Sequence, residues 1–231
     1  MHIPDGFINA GTSAGAAVIA AGGVSVAVKK TSDYMEDKQV PLAGLTAAFV
    51  FAVQMLNFPV AAGTSGHLLG GALAAILVGP WAGALCVTVV LIVQAFFADG
   101  GITALGLNIL DMSFITALGG YALFVGLRRV LPKQRWSIVI ASGIAAGVSV
   151  VLSSLAFFVQ FTVGGNVDLR LGSVLAAMVG VHTLVGVGEG VITAATVGLV
   201  LGVRPDLVYG ARDLATRLEL KPQVRTAGGL S

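Results

Sequence analysis

The first two residues of the chain, Met1 and His2, form a small chelator when the amino terminus is free. The α-amine of Met1, the backbone nitrogen of His2 and the Nδ1 atom of its ring can close two fused chelate rings around one metal ion. The following Pro4-Asp5-Gly6 is typical of a tight turn. We therefore expect residues 1–8 to fold back over the rest of the chain as a metal-chelating segment.

The rest of the sequence has the composition of a polytopic membrane protein. Hydrophobic residues make up 56% and charged residues 10% of the 231 residues, whereas about a quarter of a soluble domain is charged. Hydropathy predicts an all-α integral membrane protein with about seven spans, near 9–28, 42–58, 66–79, 81–98, 104–127, 136–162 and 173–203. The third span is short for a crossing, which leaves a tilted or an internally packed helix open.

The placement of basic residues predicts the orientation. They follow spans one, five and seven, at Lys29, Lys30, Lys38, Arg128, Arg129, Lys133, Arg135, Arg204, Arg212, Arg217, Lys221 and Arg225. The positive-inside rule then predicts an N-terminus outside and a C-terminus in the cytoplasm, with only Arg170 outside. We expect a membrane domain over 1–205 and a short cytoplasmic tail over 206–231, with a helix near 206–220.

A basic pair after the first span, with none before it, favours an N-out anchor over a cleaved signal peptide. Met1 is therefore expected to remain the mature terminus. The lone cysteine, Cys86, lies in an apolar run and is expected to pack between helices.

His67 is the expected fourth donor. It would lie at the head of the third span, on the same side as Met1, with Thr64 or Ser65 capping the helix. Four nitrogens, one of them a deprotonated amide, favour a square-planar geometry that suits Ni(II) or Cu(II) and accommodates Co(II). Two other interpretations stay open: an uninvolved terminus, and a histidine that only caps or packs.

Several further polar side chains fall within the predicted spans. Gln54 and Asn57 could orient a ligand imidazole or bond between helices. Asp111 and Glu189 are costly in lipid and need partners. His182 lies two turns before Glu189 on the same helix face, so the two would form either a polar spine coupled to movement or a structural pair.

Six segments carry a family resemblance: MHIPDGF at 1–7, FVFAVQMLNFP at 49–59, GTSGHLLGG at 63–71, GPWAG at 79–83, DGGITALG at 99–106 and HTLVGVGE at 182–189. They are similar to motifs of the substrate-binding membrane subunits of cobalt and nickel energy-coupling-factor transporters, the CbiM/NikM family. The similarity extends over about residues 1–205, and the motifs around His2 and His67 are highly specific.

This resemblance implies a metal site on the Met1 amine, both nitrogens of His2 and the ring of His67. Gln54, Asn57, Ser65, Asp111, His182 and Glu189 remain candidates to contact this site or to couple it to movement. The metal, Ni²⁺ or Co²⁺, would be transported cargo, captured outside a prokaryotic plasma membrane for cobalamin biosynthesis or for nickel enzymes.

The implied partners are a membrane coupling subunit, two cytoplasmic ATPase subunits and a small auxiliary membrane subunit. No P-loop pattern is present in the sequence, so ATP hydrolysis is expected from the partners. No nucleic-acid partner and no permanently bound cofactor are expected. An intramembrane metal-dependent enzyme that uses His182 and Glu189, and a stand-alone cation channel, are the alternatives. Nickel and cobalt are not separated by the sequence.

Overall fold

The computed structural model describes residues 1–59, 65–97 and 99–213 and is nearly all helical. Its helices are α1 Ala10–Ser32, α2 Val40–Gln54, α3 Gly71–Val78, α4 Pro80–Phe96, α5 Leu105–Val130, α6 Arg135–Gly164 and α7 Leu171–Val203. Two short antiparallel strands, β1 Phe58–Pro59 and β2 Ser65–Gly66, lie between α2 and α3. The seven predicted helices are thus confirmed.

Four of these helices, α1, α5, α6 and α7, are long and apolar enough to cross a membrane. The two others of intermediate length, α2 and α4, are apolar over 15 and 17 residues. The longest pair, α6 and α7, approaches closely where glycines face each other. A Cβ atom on Gly147 would lie 2.8 Å from the carbonyl oxygen of Gly186, so neither position has room for a side chain.

The short helix α3 packs inside the bundle. All eight of its residues are buried, and α2, α4, α5 and α6 surround it. At about 12 Å it is too short for a bilayer core of roughly 30 Å. The non-helical segment 67–70 precedes it. The carbonyl of Val78, the last residue of α3, accepts a hydrogen bond from the Tyr34 hydroxyl at 3.4 Å. Of the two possibilities for the third span, internal packing is the one observed.

Helix α5 contains an unexpected change of helical type. Residues Ile109–Gly119 form a π-helix between the α-helical ends Leu105–Asn108 and Gly120–Val130. The Ser113 hydroxyl in this stretch donates to the Ala84 carbonyl of α4 at 2.7 Å. No local sequence pattern indicated this wider winding, which places Asp111 in a buried position beside α6.

The chain after α7 turns back against the end of the bundle that is remote from Met1. Residues Pro205–Leu207 and Tyr209–Ala211 form two 3-10 turns, so the helix predicted near 206–220 is absent from 205–211. The Tyr209 ring lies 5.5 Å from that of Tyr34. Residues 214–231 of the predicted tail lie outside the described residues. Met1 and residues 205–213 thus lie at opposite ends of the bundle; the N-out orientation itself stays a prediction.

Candidate metal centre

The N-terminal segment folds back over one end of the bundle, as its turn residues indicated. Asn108 of α5 pairs with the backbone of Ile3 in both directions, accepting from its nitrogen at 2.8 Å and donating to its oxygen at 3.2 Å. The Gly101 nitrogen donates to the same Ile3 oxygen at 2.9 Å. Further along, the Asn166 nitrogen donates to the Phe7 oxygen at 3.0 Å. Loops from two sides thus hold the segment in place.

This attachment buries the first two residues. Met1 is 1% exposed and His2 is 5% exposed. The Nε2 atom of His2 lies 3.1 Å from Oε1 of Gln94 in α4. Because a carbonyl oxygen only accepts, Nε2 carries the hydrogen in this contact and Nδ1 keeps its lone pair. The nitrogen that completes the chelate with the Met1 amine is therefore the unprotonated one.

His67 lies in the non-helical segment 67–70 and not, as predicted, at the head of a helix. Helix α3 begins only at Gly71, and its N-cap is Gly70 with a left-handed φ of 76°. The Glu189 carboxylate of α7 accepts from the backbone nitrogens of Leu69 and Gly70, both at 2.6 Å, and so fixes the residues just before α3. The side chains of Thr64 and Ser65, which were predicted to cap the helix, lie outside the described residues.

The ring of His67 is oriented by its own neighbour. Its Nδ1–H donates to the Leu68 carbonyl at 2.8 Å, which leaves the lone pair on Nε2. That atom is buried and has no hydrogen-bond partner among the described residues. The ring centroid lies 4.5 Å from that of His2. Two imidazoles with free lone pairs therefore meet at the Met1 terminus, as two ligands of one ion would.

Burial keeps the donors of the terminus unprotonated. It lowers the pKa of the Met1 amine well below its ordinary value, against an opposing effect of the Asp99 carboxylate. It also lowers the pKa of the His2 ring from 6.5 to about 4, and the charge of the nearby amine acts in the same direction. Burial therefore favours the unprotonated, metal-binding form of both groups, and the His2 ring is in that form at neutral pH.

Side chains alone do not make this site. Among the described residues, no group of three or more His, Cys, Asp or Glu side chains lies close enough to hold a metal ion. The predicted donor set adds two backbone nitrogens, the Met1 amine and the His2 amide, to the two rings. An all-nitrogen set of this kind would favour Ni(II) and Cu(II) over hard ions such as Mg²⁺ and Ca²⁺.

The structure places Gln54 and Asn57 near the site but not on an imidazole. Gln54 donates to the Leu69 carbonyl at 2.6 Å and so supports the segment that carries His67. Asn57 donates to the Asp99 carboxylate at 2.9 Å. The amide that orients an imidazole is instead Gln94, which sequence reasoning missed. The side chain of Ser65, also a candidate, lies outside the described residues.

Asp111 and His182 are buried but make separate contacts. Asp111 accepts from the Gln160 amide at 2.7 Å, and its backbone oxygen accepts from Ser153, whose hydroxyl lies 3.8 Å from the Met1 sulfur. His182 donates from Nδ1 to the Met178 carbonyl of its own helix at 2.7 Å.

Glu189 makes its two hydrogen bonds to the backbone of the segment before α3. The structural pair expected between His182 and Glu189 is therefore not formed by hydrogen bonding, and both side chains bond to backbone atoms instead.

Two further residues beside the terminus were missed as site residues in the sequence. Asp99 places Oδ1 3.3 Å from Nδ1 of His2, and Asn108 fixes the Ile3 backbone. Asp99 is the first residue of the DGGITALG segment, and the glycines of this segment could have indicated a close backbone contact. A Cβ atom on Gly100 would lie 2.9 Å from the His2 ring, so this loop wraps the histidine closely and only glycine fits there.

Comparisons with known proteins agree with this geometry. The model of the CbiM family, described as the cobalt uptake substrate-specific transmembrane region, matches residues 2–207. A Haloquadratum walsbyi protein with a proposed role in metal transport is 37% identical over 214 residues, which are 90% of this chain and 94% of that protein. A fused nickel transport protein of Rhodobacter capsulatus is 32% identical over 92% of this chain and 65% of its own length.

A solved structure supports the same assignment. The crystal structure of a transition metal transporter superposes with a TM-score of 0.82 at 30% identity, covering 94% of this chain and 99% of that chain. The family match spans nearly all of the described residues, including His2 and His67. This chain, a multi-pass membrane protein of prokaryotic type, therefore belongs to the CbiM family of cobalt uptake substrate-specific transmembrane regions.

Proposed function

We propose that the chain captures Ni²⁺ or Co²⁺ at the outer face of the plasma membrane and delivers it inward. It does so as the substrate-specific subunit of an ATP-driven energy-coupling-factor transporter. The observation that carries this proposal is that the His2 and His67 rings, with centroids 4.5 Å apart, meet at a buried terminal amine. Each ring has its metal-binding nitrogen free of a hydrogen atom, because the other nitrogen donates to a fixed acceptor.

The ligand set we propose has four nitrogens: the Met1 amine, the His2 amide, Nδ1 of His2 and Nε2 of His67. Support comes from the burial of these groups and from the all-nitrogen chemistry that suits Ni(II) and accommodates Co(II). The proposal requires Met1 to be the mature terminus. Both relatives carry names of transport proteins, which favours transport over an intramembrane enzyme that uses His182 and Glu189.

The partners we propose are a membrane coupling subunit, two ATPase subunits and a small auxiliary membrane subunit. Helix α1 is a suitable docking surface, since only 22% of its most apolar 18-residue stretch is buried within the bundle. The N-out orientation is supported by the basic residues after spans one, five and seven. The ATPases would supply the energy for delivery, and the ion would serve cobalamin biosynthesis or nickel enzymes.

Reconstitution in liposomes tests this function. We expect the purified chain alone to bind Ni²⁺ or Co²⁺ tightly and to pass little ion across the membrane. Addition of the coupling and ATPase subunits is expected to produce uptake that requires ATP hydrolysis. A His67→Ala variant, which lacks one donor, serves as the control for site-specific binding. Rapid flux through the chain alone, without ATP, would instead support a stand-alone channel.

Metal affinity is expected to fall in acid, but at a lower pH than for a free peptide with residues 1–6. Protons compete with the metal for each donor, and in the folded chain burial has already lowered the pKa of His2 from 6.5 to about 4. The ring thus stays unprotonated between those two pH values, where the peptide ring is charged. Competition titrations from about pH 3 to 8 measure both midpoints, and equal midpoints would contradict the role of burial.

A further inference from the structure

Asp99 occupies an unusual position beside the proposed ligands. Its Oδ1 atom lies 3.3 Å from Nδ1 of His2, and its other oxygen accepts from Asn57 at 2.9 Å. With the hydrogen of the His2 ring on Nε2, both Nδ1 and the carboxylate are acceptors. Two acceptors at this distance attract each other only through a cation that both of them contact.

The charge of a bound ion would account for a carboxylate at this position. A divalent ion bound to a deprotonated His2 amide and three neutral nitrogens has a net charge of +1. An uncompensated charge in a site as buried as Met1 and His2 is strongly unfavourable. Asp99 acts electrostatically on both the Met1 amine and His2, and its single negative charge would make the loaded site neutral.

Three other acidic side chains of the described residues make contacts away from the His2 ring. Glu189 bonds to the Leu69 and Gly70 nitrogens, and Asp111 bonds to Gln160. Asp5 bonds to Thr103 at the surface. Asp99 is 19% exposed while His2 is 5% exposed, so its carboxylate lies at the boundary between the outer solvent and the ligands.

We propose that Asp99 determines the affinity of the site for divalent ions by neutralising the bound ion through its charge, while the four nitrogens remain the ligands. This inference rests on the proposed capture of Ni²⁺ or Co²⁺. An ion bound to Nδ1 at the usual distance of about 2 Å lies at most about 5 Å from the Asp99 oxygen. Asn57 holds the carboxylate toward the ring and is its positioning partner.

The test compares Asp99→Gln with Asp99→Glu, two variants of equal length that differ by one charge, in the purified full chain. Asp99→Asn provides a second neutral variant. Loss of one charge at this distance is expected to weaken Ni²⁺ affinity about a hundredfold for the neutral variants. The Glu variant is expected to retain most of the affinity. The visible d–d absorption of bound Ni²⁺ should keep its wavelength in all variants, because the ligands do not change.

Asp168→Asn is the matched control. Asp168 is an exposed residue in the loop after α6, at the same end of the bundle, so its removal changes the charge of that end without touching the ligands. Solvent screening should limit its effect on affinity to about threefold.

The possible results separate this inference from the proposed function. Equal affinity of the Gln and Glu variants would overturn the role of charge, even if Asp99→Asn did not fold. A shift of the absorption maximum in the neutral variants would overturn it too, because Asp99 would then be a ligand. Absence of saturable Ni²⁺ and Co²⁺ binding by the unaltered chain would contradict the proposed capture function and the role of Asp99 with it.

Discussion

One alanine placed ahead of Met1 is expected to abolish tight binding of Ni²⁺ and Co²⁺, although every side chain of the site is still present. The extension converts the terminal amine into a peptide nitrogen, which is a far poorer ligand and removes one arm of the chelate. Met1 is also 1% exposed, so the added residue has no room unless the terminus leaves its place. The loss should exceed the roughly 10- to 100-fold effect of removing a residue that only supports a ligand.

A cleavable leader makes this experiment reversible. A chain with a protease site that ends immediately before Met1 is expected to bind metal only after cleavage, as measured by isothermal titration calorimetry on the same sample. The same alanine added after Ser231 leaves the amine free and should not change affinity. Undiminished binding by the uncleaved chain would rule out the amine as a ligand and would contradict the proposed donor set.

The amine could be recognised from the sequence because its chemistry depends on two adjacent residues. The chelation proposed for Met1 and His2 needs only covalent connectivity, and the turn at Pro4-Asp5-Gly6 limits where the segment can go. The existence of seven helices was likewise predictable, since a run of apolar residues must form a helix in lipid. These features depend on local composition, and the sequence contains that information directly.

Contacts between distant segments were not predictable in the same way. The beginning of α3 was placed too early because the residues before it are held by Glu189, 120 residues from Leu69, and no local pattern shows that contact. Gln54 was a candidate to orient an imidazole because it was predicted to lie near the outer end of the second span. Gln94 does so for His2, from a helix whose rotation about its axis is fixed only by packing.

The π-helix in α5 and the position of Asp99 illustrate the same limit. A π-helical stretch has no composition of its own, so the winding of Ile109–Gly119 depends on neighbouring helices. Asp99 follows α4 in a glycine-rich loop that resembles an ordinary turn. The role of Asp99 becomes apparent only in the folded structure, where the loop lies against the His2 ring. The contact is so close that a Cβ atom on Gly100 would lie 2.9 Å from that ring.

Glu189→Gln is expected to weaken metal affinity even though Glu189 touches no donor atom. The carboxylate accepts two hydrogen bonds, from the Leu69 and Gly70 nitrogens at 2.6 Å each, and also faces the positive end of the α3 dipole. A glutamine side chain has one acceptor oxygen, so one backbone N–H loses its partner in a buried place. That loss costs about 1–3 kcal/mol, and it acts on the segment that holds His67.

The argument for positioning can be separated from a general loss of stability by a matched variant. Tyr34→Phe removes the hydroxyl that bonds to the Val78 oxygen and the Ala82 nitrogen, at the opposite end of α3. Both variants should lower the unfolding temperature in detergent, because each leaves backbone groups of the same helix system without a partner. Only Glu189→Gln, which frees the residues beside His67, should also weaken Ni²⁺ binding, by about tenfold or more.

Equal loss of affinity in the two variants would mean that metal binding follows the stability of the bundle as a whole. Unchanged affinity in Glu189→Gln would show that the backbone of 67–70 holds His67 without the two hydrogen bonds to Glu189. The conformation of the segment would then be set by Gln54 and the packing around it.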